Sequence, residues 1–451
     1  MVKLKLYQFY NALLLLVAIF CTIIFFLNCQ IYNGKLIYYI IFTIISFFYL
    51  FYNLYKIKNF THLFLSLFIF LGFWFKYSFN SLFNHSRNQN YYAEGTGNFD
   101  FSPTNVDDVL IVSSISILAL IVSNLIKKFH FKFNQMNFLF LNFNFFSEVK
   151  ILIIIIICIF NLTFNIYNKG LFDSNNNIYI YYFFSYFYQI GFFFILAIYL
   201  SEKSNIINSF SKKSIIVFFI LALILISHLS RNILIFLPFL TILLLKKSFK
   251  KINLKFLFSL IIFVIFVLLV FSFSNSYRSY KFYDKASFDF NYLNVSSNLF
   301  QSIKNRFVGI DAVMAVHAYE NKNLDLYINS WKNIDQPDNI SYFDQIFLNK
   351  KNLINVKNSK FIIIPGFVAH LYYSGSIFFV FIISFLLCCL FSYFESLVFR
   401  YYKSLSIVAI FSYLIVYRLV HFGYNPSNLY LYVIAILGSL LSIKVYDKYK
   451  K

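Results

Sequence analysis

Residues 376–398, SIFFVFIISFLLCCLFSYFESLV, decide the fold class of this chain. Glu395 is their one charged residue, and the stretch exceeds the about 20 residues that a helix needs to cross a bilayer core of roughly 30 Å. Comparable runs recur along the 451 residues, which are 60% hydrophobic and 12% charged, with a mean hydropathy of +0.70. We therefore expect an all-α, polytopic integral membrane protein without a large soluble domain.

The apolar runs predict about twelve transmembrane helices. Their predicted bounds are 7–28, 36–55, 60–82, 109–126, 150–167, 179–200, 214–229, 232–245, 256–275, 376–398, 404–421 and 427–443. Two helices are preferred over one around Arg231, because a single helix would place this Arg at mid-membrane. The chain then divides into nine helices in 1–275, a large outer loop at 276–362 with an amphipathic helix, and a re-entrant segment with three helices in 363–451.

Basic residues predict the orientation of these helices. Lys and Arg concentrate in alternate short loops, which the positive-inside rule assigns to the cytoplasm. Both termini are then cytoplasmic, and residues 276–362 lie outside. The net charge of +22 is accounted for by these loops, so no nucleic-acid partner is expected.

Arg is the informative basic residue, because only six of the 39 basic residues are Arg and Lys dominates the topology signal. Five of the six lie on or near the predicted outer face: Arg87, Arg231, Arg278, Arg306 and Arg418. Arg binds phosphate or carboxylate through two N–H donors that lie in one plane, whereas Lys would be sufficient to set the membrane topology. The distribution indicates an anion site on the outer side.

Residues 305–320, NRFVGIDAVMAVHAYE, predict a helix in the outer loop. At a period of 3.6 residues, Arg306 and His317 share one face, and Asp311 points elsewhere. Two interpretations stay open. Either the helix rests on the membrane with Arg306 reaching the head groups, or it brings Arg306 into a phosphate site.

Residues 365–375, PGFVAHLYYSG, break the helix where the chain re-enters the membrane, which predicts a re-entrant segment that lines a cavity. His370 in this segment is a candidate general base or a hydrogen-bonded structural residue. His228 and His421 each lie one helical turn from an Arg. We interpret His228 as a packing residue and expect His421 to border the site.

Several chemistries have no motif in this chain. It lacks a phosphate loop, a dinucleotide fingerprint, an H-E-x-x-H motif and a Cys cluster, so we expect neither a cofactor nor a metal. The five Cys residues are predicted to be small core residues. Glu395 is the one acidic residue in a predicted span, which argues against an ion-coupled transporter, although half-helix dipoles leave that class open.

The order of these features resembles the Wzy-type oligosaccharide repeat-unit polymerases of bacteria. The resemblance is carried by residues 70–76 (FLGFWFK), the turn 230–232 (SRN), residues 305–311 (NRFVGID), and Pro365-Gly366 followed by Leu371-Tyr372 and Gly375. It implies a fold like the GT-C class of membrane glycosyltransferases and a reaction on the outer face of the cytoplasmic membrane. A glycan would leave its undecaprenyl pyrophosphate carrier and join a new lipid-linked repeat unit of O-antigen or capsule, with a chain-length regulator protein as a partner.

The residues fit that chemistry, because guanidinium groups stabilise the charge that gathers on a pyrophosphate leaving group. We expect Arg231 and Arg306 to bind the pyrophosphate, helped by Arg278 and Arg418. Either His370 or Asp311 would accept the proton of the acceptor hydroxyl. Tyr372 would bind sugar, although an interfacial aromatic belt explains such Tyr residues equally well.

Two other functions stay open. O-antigen ligases share the architecture that the resemblance implies and place a His in their large loop, which keeps a ligase in view through His317. A polysaccharide flippase or transporter is the third class.

Overall fold

A computed structural model describes most of the chain. The described residues are 6–86, 96, 98–126, 147–168, 178–201, 212–230, 233–245, 265–273, 307–331, 366–423 and 426–449. Across these ranges the protein is helical and has no β-strand. The predicted all-α fold is therefore confirmed.

The α-helices follow the apolar runs of the sequence. They are α1 Leu6–Ile31, α2 Leu36–Tyr55, α3 Phe60–Ile69, α4 Lys76–Ser86, α5 Pro103–Asn124, α6 Ser147–Phe164, α7 Ile178–Tyr186, α8 Phe192–Ser201, α9 Lys212–Ser227, α10 Leu237–Leu245, α11 265–273, α12 Ile310–His317, α13 Leu324–Ser330, α14 Phe367–Tyr372, α15 Ile377–Tyr402, α16 Leu405–Phe422 and α17 Pro426–Tyr449. A π-helical turn at Phe70–Phe75 joins α3 to α4, and a second at Phe187–Gly191 joins α7 to α8.

Six helical segments in the described residues are long and apolar enough to cross a membrane. They are Leu14–Ile31, Leu36–Tyr55, Phe60–Phe83, Pro103–Asn124, Tyr179–Leu200 and Ile377–Tyr402. Four shorter apolar helices accompany them: Val149–Phe164, Ile215–Ser227, Leu405–His421 and Leu429–Val445. The fold is thus compatible with a polytopic membrane protein, and the number of twelve spans stays a prediction.

The third span, α3 to α4, lies at the centre of the bundle. In the most apolar 18 residues of this span 83% are buried inside the protein, against 17% in the first span. Helices α2, α5, α15 and α16 all pack against α3. On α1, by contrast, Leu16, Ile19, Phe20 and Ile23 are exposed, a patch that soluble proteins rarely show. Peripheral helices therefore present the apolar faces that lipid would cover.

Glu395 in α15 caps the first turn of α3. Its carboxylate is fully buried and accepts the backbone N–H groups of Phe60 at 2.7 Å and Thr61 at 2.8 Å. The Asn59 side chain accepts a third N–H, from His62 at 2.9 Å. Because the first N–H groups of a helix have no partner within it, these bonds satisfy the buried end of the central span.

The helical structure is interrupted between α9 and α10, at the position where the sequence predicts two separate helices. Helix α9 ends at Ser227, Leu229 has a φ of +53°, and the Ser230 N–H donates to the Leu225 carbonyl at 2.9 Å. Helical structure resumes at Ile233. Arg231 itself lies outside the described residues.

Candidate functional site

The predicted outer segments meet at one end of the helix bundle. Helix α12 packs against α5, α14 and the π-helical turn at Phe70–Phe75. Helix α14 packs in turn against α16, and the Gly366 N–H donates to the His421 carbonyl at 3.1 Å. We call this assembly of α12, α14, the start of α5, the end of α16 and the π-helical turn the outer cluster.

Helix α12 is an internal element. Its residues from Ile310 to Val316 are all buried, including Asp311. The helix begins at Ile310, later than the predicted start near Asn305, and Arg306 lies outside the described residues. Burial on all sides does not fit the interpretation of a helix resting on the membrane surface, because such a helix keeps a polar face in water.

Two glycines let the predicted outer loop contact the third span directly. A Cβ atom on Gly309 would overlap the backbone of Gly72, and a Cβ atom on Gly72 would overlap the carbonyl of Val308. Gly72 lies within the π-helical turn, a distortion that often marks functional sites. The backbones of these two segments therefore approach more closely than any other residue type allows.

A buried ion pair holds the same two segments together. The Lys76 ammonium lies 2.6 Å from Oδ2 of Asp311 and donates to the Phe307 carbonyl at 3.0 Å. The side chains are only 6% and 3% exposed. Asp311, one of the two predicted bases, is therefore the counter-ion of Lys76. Lys76 was not predicted as a site residue, although a lone charge inside an apolar span is a signal of function.

The His370 side chain on α14 is enclosed by its neighbours. The residue is 3% exposed, its Nε2 lies 3.0 Å from the Ser330 hydroxyl, and its ring contacts Tyr327 and Tyr373. The backbone of Gly423 approaches its Cβ so closely that a side chain at 423 would collide with it. This environment matches the structural interpretation of His370 better than the catalytic one.

Gly366 sets the entry into α14. Its φ of +73° belongs to the left-handed region that favours glycine, and a Cβ atom would lie 2.7 Å from Cγ1 of Val308. His421, which accepts the Gly366 N–H, is buried, and its Nδ1 lies 3.2 Å from the Tyr417 carbonyl. His421, at the end of α16, therefore lies within the outer cluster, and its place beside a catalytic site stays a prediction.

The other predicted site residues divide into two groups. Arg418 on α16 is half-buried, and its guanidinium lies 5.8 Å from the ring centre of Tyr432, within cation–π range. Tyr372 on α14 is buried in the outer cluster. Arg231, Arg278 and Arg306 lie outside the described residues.

His228, which was interpreted as a packing residue, is buried at the end of α9. Its Nδ1 is close to the Ile224 carbonyl, and its ring lies 4.6 Å from that of Tyr188. These contacts fit a role in packing.

His317, at the end of α12, is the more accessible histidine of the outer cluster. Its side chain is 16% exposed; Nδ1 lies 3.3 Å from the Tyr372 hydroxyl, and Nε2 lies 3.9 Å from Oδ2 of Asp108. Burial lowers the pKa of His317 below its ordinary value, and the Lys322 ammonium adds to this effect, whereas the Asp108 carboxylate opposes it. Asp108 itself was not predicted, since no sequence pattern links residues 108 and 317.

Lys322 fixes the end of α12. Its ammonium donates to the carbonyls of His317 at 2.6 Å and of Tyr319 at 2.5 Å. It also lies 5.9 Å from the ring centre of Tyr372. A cation at a helix C-terminus satisfies carbonyls that lack partners. These contacts hold the His317 backbone in place beside α14.

Asp107 ties the first helical hairpin to the outer cluster. Its carboxylate accepts the Tyr32 hydroxyl at 2.5 Å and the Lys35 N–H at 3.0 Å. The turn between α1 and α2 therefore lies beside the start of α5. Two segments that are predicted to lie on the outer side, this turn and the start of α5, are thus at the same end of the bundle.

Comparison with protein families, with curated proteins and with solved structures finds no match to this chain. Within the described ranges there is also no group of three His, Cys, Asp or Glu side chains arranged to bind a metal ion. The fold and the outer cluster therefore define a class: an all-helical protein with several helices able to span a membrane and a buried polar assembly at one end.

Proposed function

We propose that this protein polymerises lipid-linked oligosaccharide repeat units into a surface polysaccharide, on the outer face of the bacterial cytoplasmic membrane. One observation carries the proposal. Three of the four segments on which the resemblance to Wzy-type polymerases rests, at Gly72–Lys76, Val308–Asp311 and Gly366–Tyr372, lie far apart in sequence and pack together in the outer cluster. Motifs that together form one functional site are expected to lie close to one another in space.

The proposal includes the finer architecture. We place all twelve predicted helices across the membrane with both termini in the cytoplasm, in a fold like the GT-C class. The outer cluster then faces the compartment in which lipid-linked repeat units are exported. Membrane lipid surrounds the bundle, and a chain-length regulator protein is an expected partner.

The reaction transfers the growing glycan from undecaprenyl pyrophosphate to a hydroxyl of the next lipid-linked unit. The anomeric C–O bond to pyrophosphate breaks, and its electron pair leaves with the carrier while the hydroxyl oxygen bonds to the anomeric carbon. Preorganised guanidinium groups stabilise the departing charge. We assign this role to Arg231 and Arg306, with Arg278 and Arg418 in support.

The test is reconstitution of the purified protein in liposomes with lipid-linked repeat units. We expect a ladder of products without nucleotide and in the presence of EDTA, because cleavage of the pyrophosphate-linked sugar is downhill. A strict requirement for nucleotide, or the absence of any ladder from a folded protein, would contradict the proposal.

Conservative substitution separates phosphate binding from topology. Arg306→Lys and Arg231→Lys keep the charge but lose the bidentate geometry. One charge-assisted hydrogen bond contributes about 1.5–3 kcal/mol, and about 1.4 kcal/mol corresponds to tenfold in rate. We therefore expect a fall of roughly ten- to a hundredfold in polymer formation, with Lys332→Ala as the control that leaves polymer unchanged. Full activity of both Arg→Lys variants would remove these residues from the site.

A ligase is the second candidate, favoured by the partly exposed His317 in the outer loop. Deletion of the gene distinguishes the three functions on a gel of the surface glycan. Loss of a polymerase leaves one repeat unit on the final acceptor, and loss of a ligase leaves long chains on the lipid carrier. Loss of a flippase or transporter leaves no exported unit.

A further inference from the structure

We propose that His317 and Asp108 form the pair that takes the proton from the acceptor hydroxyl. This inference rests on the proposed function, because it names the group that acts on the acceptor of that reaction. His317 would be the catalytic base, and Asp108 would orient the hydroxyl and stabilise the imidazolium.

The two bases expected from the sequence are poorly accessible. Asp311 is buried against the Lys76 ammonium at 2.6 Å, and His370 is 3% exposed with Nε2 beside the Ser330 hydroxyl. A base must come within hydrogen-bond reach of the proton that it removes. Neither group can do so without disruption of the packing that surrounds it.

His317 combines a fixed ring with an open nitrogen. Its ring stacks on Tyr372 with an interplanar angle of 14° and meets Phe99 at 69°. In the tautomer that carries its proton on Nδ1, His317 donates to the Tyr372 oxygen at 3.3 Å, which leaves Nε2 as an acceptor. The same Nε2 faces Asp108 across 3.9 Å, too far for a direct hydrogen bond.

Asp108 supplies the accessible side of the pair. Its side chain is 58% exposed, whereas that of His317 is 16% exposed. A sugar hydroxyl that enters from the Asp108 side can donate to Nε2 while its neighbouring hydroxyl donates to the carboxylate. Polyols are bound in this way because each hydroxyl needs an acceptor of its own.

The charges around His317 support a base that is neutral before the reaction. The titratable and charged groups on α12, near its end and on the elements packed against it include Asp107, Asp108, Lys76, Asp311, Tyr319, Glu320, Lys322, His370 and Tyr372. Burial and Lys322 favour neutral imidazole, and Asp108 favours imidazolium. The imidazole is thus able to accept a proton, and the carboxylate stabilises the cation that results.

The proton-transfer step balances without a co-reactant. The acceptor hydroxyl gives its proton to Nε2 of His317 as its oxygen bonds to the anomeric carbon, and the carrier pyrophosphate leaves with the electron pair of the broken C–O bond. The imidazolium then releases the proton to water. Asp108 stays ionised throughout.

Liposomes with lipid-linked repeat units provide the assay, in which the initial rate at limiting acceptor is measured against pH for Asp108→Asn and for Asp325→Asn. Asp325 is an exposed carboxylate in the first turn of α13 and serves as the matched control. Since His317 must be neutral to accept a proton, the rate rises as pH passes through its pKa. Loss of the Asp108 charge lowers that pKa, so the acid limb should move to lower pH by roughly half to one pH unit. The control should keep the wild-type profile.

His317→Gln gives the second measurement. General base catalysis contributes about 10²- to 10⁴-fold, so we expect a loss of that order with the acceptor KM little changed. An acid limb that stays in place in Asp108→Asn, or a His317→Gln variant with more than a tenth of the wild-type rate, would overturn the pair. Asp108→Asn decides the matter even if His317→Gln does not fold. The proposed function fails separately, if the wild-type protein itself makes no polymer.

Discussion

Replacement of Asp311 by Asn is the most direct test of the contact between the outer loop and the third span. The substitution leaves the Lys76 ammonium buried, 6% exposed, with the Phe307 carbonyl as its remaining acceptor among the contacts described. Removal of one partner of a buried ion pair typically costs about 3–5 kcal/mol. That is a large share of the roughly 5–15 kcal/mol by which proteins are stable. Asp311→Asn should therefore loosen α12 from the π-helical turn.

The double variant Lys76→Met with Asp311→Leu isolates the charge effect. Because apolar residues of similar volume often replace a buried pair without loss, the double variant should be more stable than either single one. The free energy of unfolding is measured by SDS titration in mixed micelles, with the exposed Asp325→Asn as a control that stays within about 0.5 kcal/mol of wild type. A loss below about 1 kcal/mol in Asp311→Asn, or a double variant whose loss is the sum of the singles, would refute the reasoning.

Three further outcomes are expected. Gly309→Ala should destabilise the protein by about 1–3 kcal/mol or abolish its accumulation, because the new methyl group overlaps the third span; Gly438→Ala, with open space around it, should be neutral by the same unfolding assay. Glu395→Gln retains one acceptor oxygen and turns the other into a donor that faces backbone N–H groups, so we expect the free energy of unfolding to fall by about 1–3 kcal/mol. An unchanged unfolding curve would contradict the role of Glu395 as the cap of α3. Cysteine introduced at Asn176 should react with an impermeant thiol reagent in spheroplasts, whereas cysteine at Ser209 should not, and the opposite pattern would invert the proposed orientation.

Helix positions were predictable from the sequence, because long apolar runs in the sequence correspond to helical segments of the bundle. The runs at 36–55 and 179–200 are helical with nearly the predicted bounds. The π-helical turns were not predictable. Residues 70–75, FLGFWF, read as ordinary helix, and Gly72 within their wider turn contacts Gly309, a partner that the local sequence does not indicate.

The sequence predicted which segments form the candidate site, but not which of their residues contact one another. The sequence analysis singled out residues 305–320 and 365–375, and the described parts of both pack in the outer cluster. It did not predict that Lys76 pairs with Asp311, because the partners are 235 residues apart and each looks like an isolated charge. For residues 305–320 the sequence left two interpretations open, a helix on the membrane surface and a helix that brings Arg306 into a site, and the burial of residues 310–316 fits the first one poorly.

The central place of the third span has a consequence for biosynthesis. Residues 60–86 leave the ribosome early, yet α15 and α16, which cover α3, are made only after residue 376. The N–H groups of Phe60 and Thr61 receive their acceptor from Glu395, some 335 residues later. Until then, Lys76 and the first turn of α3 must find other partners in the lipid or the insertion machinery. In a nascent chain stalled before residue 376, α3 would thus still contact the translocon. A crosslink from position 62 to the translocon can detect this contact.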